Sequence, residues 1–177
     1  PQQAYPFEKL GDIPKREDAN PIALERAGNY IVEAKEAGEP FCLIIGSHDG
    51  HAPFHTHGDP SIYDAAKLTL PKDALDTPEY RHKLLGNFVE VTHLDKLLGG
   101  LRELIAEHEL TEDTLVIFCS EQGNQFPFSK WTCFDGGLAS GIIAAWPGVI
   151  PAGIESDPIL WISDITPSLV EAAGGEI

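Results

Sequence analysis

Hydrophobic positions recur along this chain in two distinct ways. Between Thr77 and Ile105, the residues Leu84, Phe88, Val91, Leu94, Leu98, Leu101 and Ile105 return every three or four positions. That is the stripe of a long amphipathic helix. Thr77-Pro78-Glu79 gives it a start, with a capping hydroxyl followed by proline at the first helical position. A weaker stripe of Ile22, Leu24, Ala27, Ile31 and Ala34 follows Asn20-Pro21 and stops at Gly38. It predicts a helix over 21–37 with Asn20 as its cap. A short helix is expected over 164–173, with Pro167 in its first turn and Gly174-Gly175 as its stop. The second pattern is the short unbroken apolar run: Pro40 to Ile45, Thr114 to Cys119, and Gly141 to Trp146. Runs of this length bounded by turn residues read as strands buried on both faces. Strands alternating with helices predict an α/β fold, a mostly parallel sheet flanked by helices, with its site at the carboxyl ends of the strands.

Two stretches lack periodicity. Residues 1–20 mix Pro, Gly and charge and read as a surface loop, and residues 46–78 read as a long ordered loop. Loops of that length inside compact domains are usually functional or disordered, and four histidines favour function. No linker rich in Gly or Ser divides the 177 residues, so one domain over 1–177 is the expectation. No run reaches the roughly 18 to 20 apolar residues of a membrane span. Methionine is absent, at position 1 included, which suggests a processed, truncated or partial product.

Charge narrows the partners. Twenty-eight acidic against 12 basic residues give a formal charge of −16. A nucleic-acid or anionic-membrane surface needs a basic face, so neither is expected. An anion handled here must be held by a few local cations or by a metal. Cys42, Cys119 and Cys133 form no CxxC pair, and two of them lie in or beside apolar runs, where a small buried thiol is the ordinary reading.

The candidate chemistry lies at strand ends. Ser120-Glu121-Gln122-Gly123 follows the run at 114–119 and leads into a loop carrying Lys130. Glu121 and Gln122 offer hard oxygen ligands suited to Ca²⁺ or Mg²⁺, and Lys130 offers a charge to an anion. His48, His51, His55 and His57 fall within ten residues, after the run ending at Ile45. Three imidazoles suffice for a transition metal, although the spacing is irregular and Pro53 interrupts it. Other uses are shaping the loop by hydrogen bonds, or proton donation to a substrate oxygen. Spacing alone does not choose among them. Phe126, Phe128, Trp131 and Phe134 surround Lys130 and read as core or as a surface for stacking sugars.

Four stretches in order carry a family resemblance: Pro40-Phe-Cys-Leu-Ile-Ile-Gly-Ser-His-Asp-Gly-His51, Gly58-Asp-Pro-Ser-Ile-Tyr-Asp64, Thr114-Leu-Val-Ile-Phe-Cys-Ser-Glu-Gln-Gly123, and Gly148 onward with Asp164-Ile-Thr-Pro-Ser-Leu. From about Pro21 to Gly174 the chain resembles the later part of a type I sulfatase of the alkaline phosphatase superfamily. The segment from Phe126 to Gly137 is similar to the subgroup of heparan N-sulfatase-like enzymes. The resemblance implies an alkaline-phosphatase-like fold, here a partial domain, and hydrolysis of a sulfuric ester or N-sulfate. By position it implies Glu121 and Gln122 as ligands of a divalent cation, usually calcium, where most members read Ser-Asp-Asn-Gly. It likewise implies Lys130 on the sulfate and His51 on the sulfate or the leaving oxygen, with His55 a further candidate substrate contact. Expected partners are a sulfated carbohydrate or other sulfate ester, and an N-terminal portion of the same protein, in a periplasmic, secreted or lysosomal setting.

Two departures stand out. Glu121 and Gln122 are each one methylene longer than the usual pair. Members make a formylglycine from Cys or Ser in a Cys/Ser-x-Pro/Ala-x-Arg sequence, and this chain has none. The formylglycine is therefore expected only in the N-terminal portion. Alternatives are a phosphodiesterase or phosphonate hydrolase of the same superfamily, or a non-catalytic homologue that binds metal or carbohydrate.

Overall fold

The structure, a computed structural model, describes residues 10–11, 19–54 and 58–177. Its contacts divide the chain into two compact units, residues 1–111 with 124–127 and residues 112–123 with 128–177.

The first unit is built on two helices, α1 (Ala19–Ala37) and α2 (Pro78–Glu107). Asn20 lies inside α1 and not at its cap, because the helix begins at Ala19, two residues before the expected start at Pro21. At the far end Gly38 takes φ +68°. The Gly38 and Glu39 amides then reach back to the Lys35 and Ala34 carbonyls, a termination that favours glycine. Ala27 and Ile31 are buried to 1% exposure. Glycines let the helices approach closely: a Cβ on Gly100 would come within 2.9 Å of Leu24. Lys35 closes the pair by donating to the carbonyl of His108 at 2.5 Å, where α2 ends.

Helix α2 starts as predicted, with the Thr77 hydroxyl accepting the Tyr80 amide at 3.1 Å. Its buried stripe, however, is shifted from the expected one. Phe88 and Val91 are 39% and 48% exposed, while Leu84, Asn87, Val89, Glu90 and Leu97 are buried. Two of the inward positions are polar, and a count of apolar residues passes over them.

The loop before α2 holds two short 3₁₀ turns, Pro60–Ile62 and Ala65–Lys67, capped by Asp59 and Asp64. Arg81 donates to the carbonyls of Ala65, Ala66 and Leu68 and pairs with Asp76. Phe54, Leu84 and Phe126 form a core with Tyr80, Leu68 and Leu70 against it. Phe54 stacks on Phe126 at 5.7 Å between ring centroids. Phe126 is therefore core and not part of a sugar-stacking surface.

In the second unit, β1 (Val116–Cys119) pairs with β2 (Ile142–Ala145), from Val116 opposite Ala145 to Cys119 opposite Ile142. This ladder is antiparallel, and among the described residues it is the whole sheet. The mostly parallel sheet read from the sequence is not what these strands form. A parallel pair needs a crossover, usually a helix packed across the sheet; residues 120–141 are long enough for one but hold only the four-residue helix α3 (Asp135–Leu138). Residues 41–45 alternate between half-buried and exposed, as an extended strand does. They join no ladder among the described residues. The unit ends in α4 (Ile165–Ala172), led by a 3₁₀ turn over Ile162–Asp164.

Candidate active site

In the second unit the end of the ladder sets the turn after β1. The Ser120 amide donates to the Gly141 carbonyl at 2.9 Å, and the Gly141 amide returns a bond to the Ser120 hydroxyl at 2.8 Å. The next two side chains meet, with the Gln122 amide nitrogen 3.0 Å from Oε2 of Glu121. Ser140 donates to the main-chain oxygen of Glu121 at 3.0 Å, which steadies the turn without using its carboxylate.

Glycine then ties this turn to the loop of Lys130. A Cβ at Gly123 would overlap the Gly136 carbonyl oxygen, and that same oxygen accepts the hydroxyl of Ser129 at 2.5 Å. Ser129 is buried, and its own carbonyl accepts the Thr132 hydroxyl at 2.6 Å. Lys130 sits between these anchors, its Nζ 5.5 Å from the centroid of the Trp131 ring. Phe128 and Trp131 take φ of 62° and 68°, a left-handed conformation unusual for bulky side chains and sustained here by the anchored loop. Chemically, a carboxylate accepting from the neighbouring amide nitrogen stands on a turn fastened to a loop bearing an ammonium group.

In the first unit, the histidine loop lies on α2. Asp49, with its side chain 4% exposed, accepts from Ser47 Oγ at 3.0 Å and from His93 Nδ1 at 3.0 Å. The carboxylate stands between the hydroxyl and the imidazole, so His93 does not take the Ser47 proton and no nucleophilic triad results. His51 is exposed, and its Nδ1 lies 2.7 Å from the Ala52 carbonyl. A carbonyl only accepts, so Nδ1 carries the hydrogen. His55 lies outside the described residues. Among the described residues no three His, Cys, Asp or Glu side chains gather as a metal site.

A family model described as Sulfatase matches residues 12–175. This chain belongs to the sulfatase family. The chain is 26% identical over 175 residues to arylsulfatase G of Rattus norvegicus, covering 86% of this chain and 30% of the relative. To N-sulphoglucosamine sulphohydrolase of Homo sapiens it is 24% identical over 203 residues, covering 97% and 39%. A crystal structure titled Ps i-CgsB superimposes with TM-score 0.64 at 21% identity, over 90% of this chain and 35% of that one. At that identity the likeness is one of fold. The chain spans about a third of the length of these relatives.

The sequence directed attention to Glu121, Gln122, Lys130 and His51, and missed what holds them. Gly136, Ser129, Glu90 and Gln125 have no motif of their own. The one signal in the sequence was a polar residue at an inward register of α2.

Proposed function

We propose that this sulfatase-family chain is the C-terminal part of a sulfuric ester or N-sulfate hydrolase. The fastening of the Glu121-Gln122 turn to the Lys130 loop through Gly123, Gly136 and Ser129 is the observation that carries this reading. Glu121 and Gln122 supply two oxygens toward a divalent cation. The Gln122 amide nitrogen, 3.0 Å from Oε2 of Glu121, keeps the two side chains side by side, a partial ligand set that oxygens elsewhere in the protein complete. Ca²⁺ there, when bound, offsets charge on sulfate oxygens. Lys130 adds a fixed positive charge to the same anion, and in an acidic chain such local cations are what hold it. As an imidazolium, His51 passes a proton from Nε2 to the departing oxygen or nitrogen as its bond to sulfur breaks, while the oxygen gained by sulfate comes from the nucleophile, which water restores.

No formylglycine-forming sequence occurs in the chain, so the nucleophile belongs to the N-terminal portion. The broad exposed apolar surface of the second unit, with Ile154, Ile159 and Trp161 at 66%, 95% and 72% exposure, supports a larger folded whole. The test is sulfate release by the intact protein from p-nitrophenyl sulfate and from an N-sulfated glucosamine oligosaccharide. Sulfate is expected from at least one, with K130A slowing it about a hundredfold or more, the loss that follows removal of one charge-stabilising donor. Faster cleavage of the matching phosphate esters, or unchanged turnover in K130A, overturns the assignment.

A further inference from the structure

We infer that Glu90 and Gln125 are positioning residues that fix His51 by gripping the backbone on either side of it, an inference that rests on the role proposed for His51. Glu90 lies in the middle of α2 with no exposed surface. Its Oε2 accepts the Gly50 amide at 3.1 Å. On the other side, Gln125 Oε1 accepts the Ala52 amide at 2.5 Å. The amide of His51 itself donates to the His48 carbonyl at 3.2 Å. Three consecutive amides are thus bound, two of them by side chains 40 and 73 residues away in sequence.

Each grip is held in turn. Phe126, next to Gln125, is locked between Phe54 and Tyr80 in the core of the same unit. One turn beyond Glu90, His93 holds Asp49, so α2 grips the loop at two successive residues, 49 and 50. Burying a carboxylate is unfavourable unless hydrogen bonds compensate it, and an apolar residue would cover this helix face at lower cost. The loop contact gives the buried Glu90 a reason to be there. The ring of His51 is then fixed by its bond to the Ala52 carbonyl, whose own amide Gln125 holds, so backbone geometry sets where Nε2 points. Rigid placement of a proton donor matters because a displacement of about 1 Å costs roughly a hundredfold in rate.

The experiment uses the intact protein with p-nitrophenyl sulfate. E90A and Q125A are each expected to lower kcat/KM about a hundredfold. E90Q and Q125E, which keep the accepting oxygen, are expected to restore most of it. In an H51A background, E90A should cost nothing further, since its effect acts through His51. Independently of any substrate, hydrogen exchange at the Gly50 and Ala52 amides should accelerate in E90A and Q125A and slow again in E90Q and Q125E. An equal loss from E90A with alanine at 51, or unchanged exchange in both alanine variants, overturns the inference. Turnover unaffected by H51A instead overturns the role given to His51, and exchange then decides the grip by itself. Should E90A not fold, Q125A, at a half-buried position, carries the same arms.

Discussion

At the residue scale, one carbonyl oxygen organises the second unit. Gly136 O receives the Ser129 hydroxyl and lies where a Cβ of Gly123 would fall, so the turn and the Lys130 loop share one anchor. Gly123→Ala would drive its Cβ into the Gly136 carbonyl and against Ser129 Oγ, which is itself bound to that carbonyl. It should lower stability by about 3 kcal/mol, the upper part of the range for overpacking, and should disturb the Glu121-Gln122 turn before the helices of the first unit. Chemical denaturation, with exchange followed separately over 112–123 and 19–37, checks both statements. The glycine itself is plain in the sequence. Its partner is not, because nothing in residues 124–135 announces that Gly136 returns to the same spot. Lys130 shows the same division: its charge is legible, and the strained aromatic flanks at Phe128 and Trp131 that frame it are not.

At the element scale, helix α2 organises the first unit. It carries Glu90 and His93 to the histidine loop, Leu84 to the core and Gly100 to α1. Its first turn is secured by Arg81, whose hydrogen bond to Asp76 holds the Asp76 carboxyl below its ordinary value of 3.8. A lowered native value means stability that is present above pH 3.8 and lost as pH falls through the native value. D76N is therefore expected to melt earlier than the parent at neutral pH, with the gap closing as pH falls below 3.8 and the parent protonates. The Asp76 carboxylate is exposed to solvent, so the effect shrinks with added salt. Melting curves from pH 7 to pH 2.5 at two salt concentrations check the sign. Burial pushes the Tyr80 hydroxyl up, so its contribution runs the other way, present below its ordinary value of 10.0 and lost above it. The existence and cap of α2 were legible from spacing and from Thr77-Pro78. Its inward face was not, because Asn87 and Glu90 are buried by tertiary contacts that hydropathy does not register.

At the scale of the whole molecule, an acidic chain with a net charge of −16 belongs to a family whose members act on sulfated substrates. If Glu121 and Gln122 bind calcium as proposed, Ca²⁺ stabilises the intact protein by mass action, about 2.7 kcal/mol at a hundredfold excess over Kd. EGTA should lower the melting temperature, and an E121A/Q122A double variant should lose the calcium-dependent part of it. An identical calcium response in that variant would remove both residues from the ligand set. By itself the sequence determined what chemistry the chain carries and which segments become helix: oxygen donors, an ammonium group, imidazoles and the periodicity of α1 and α2 are properties of residues and near neighbours. Tertiary structure alone decided that β1 and β2 run antiparallel, that residues 41–45 join no ladder among the described residues, and that Glu90 and Gln125 bracket His51. Those outcomes depend on contacts between residues tens of positions apart, and local pattern carries no record of such distant partners.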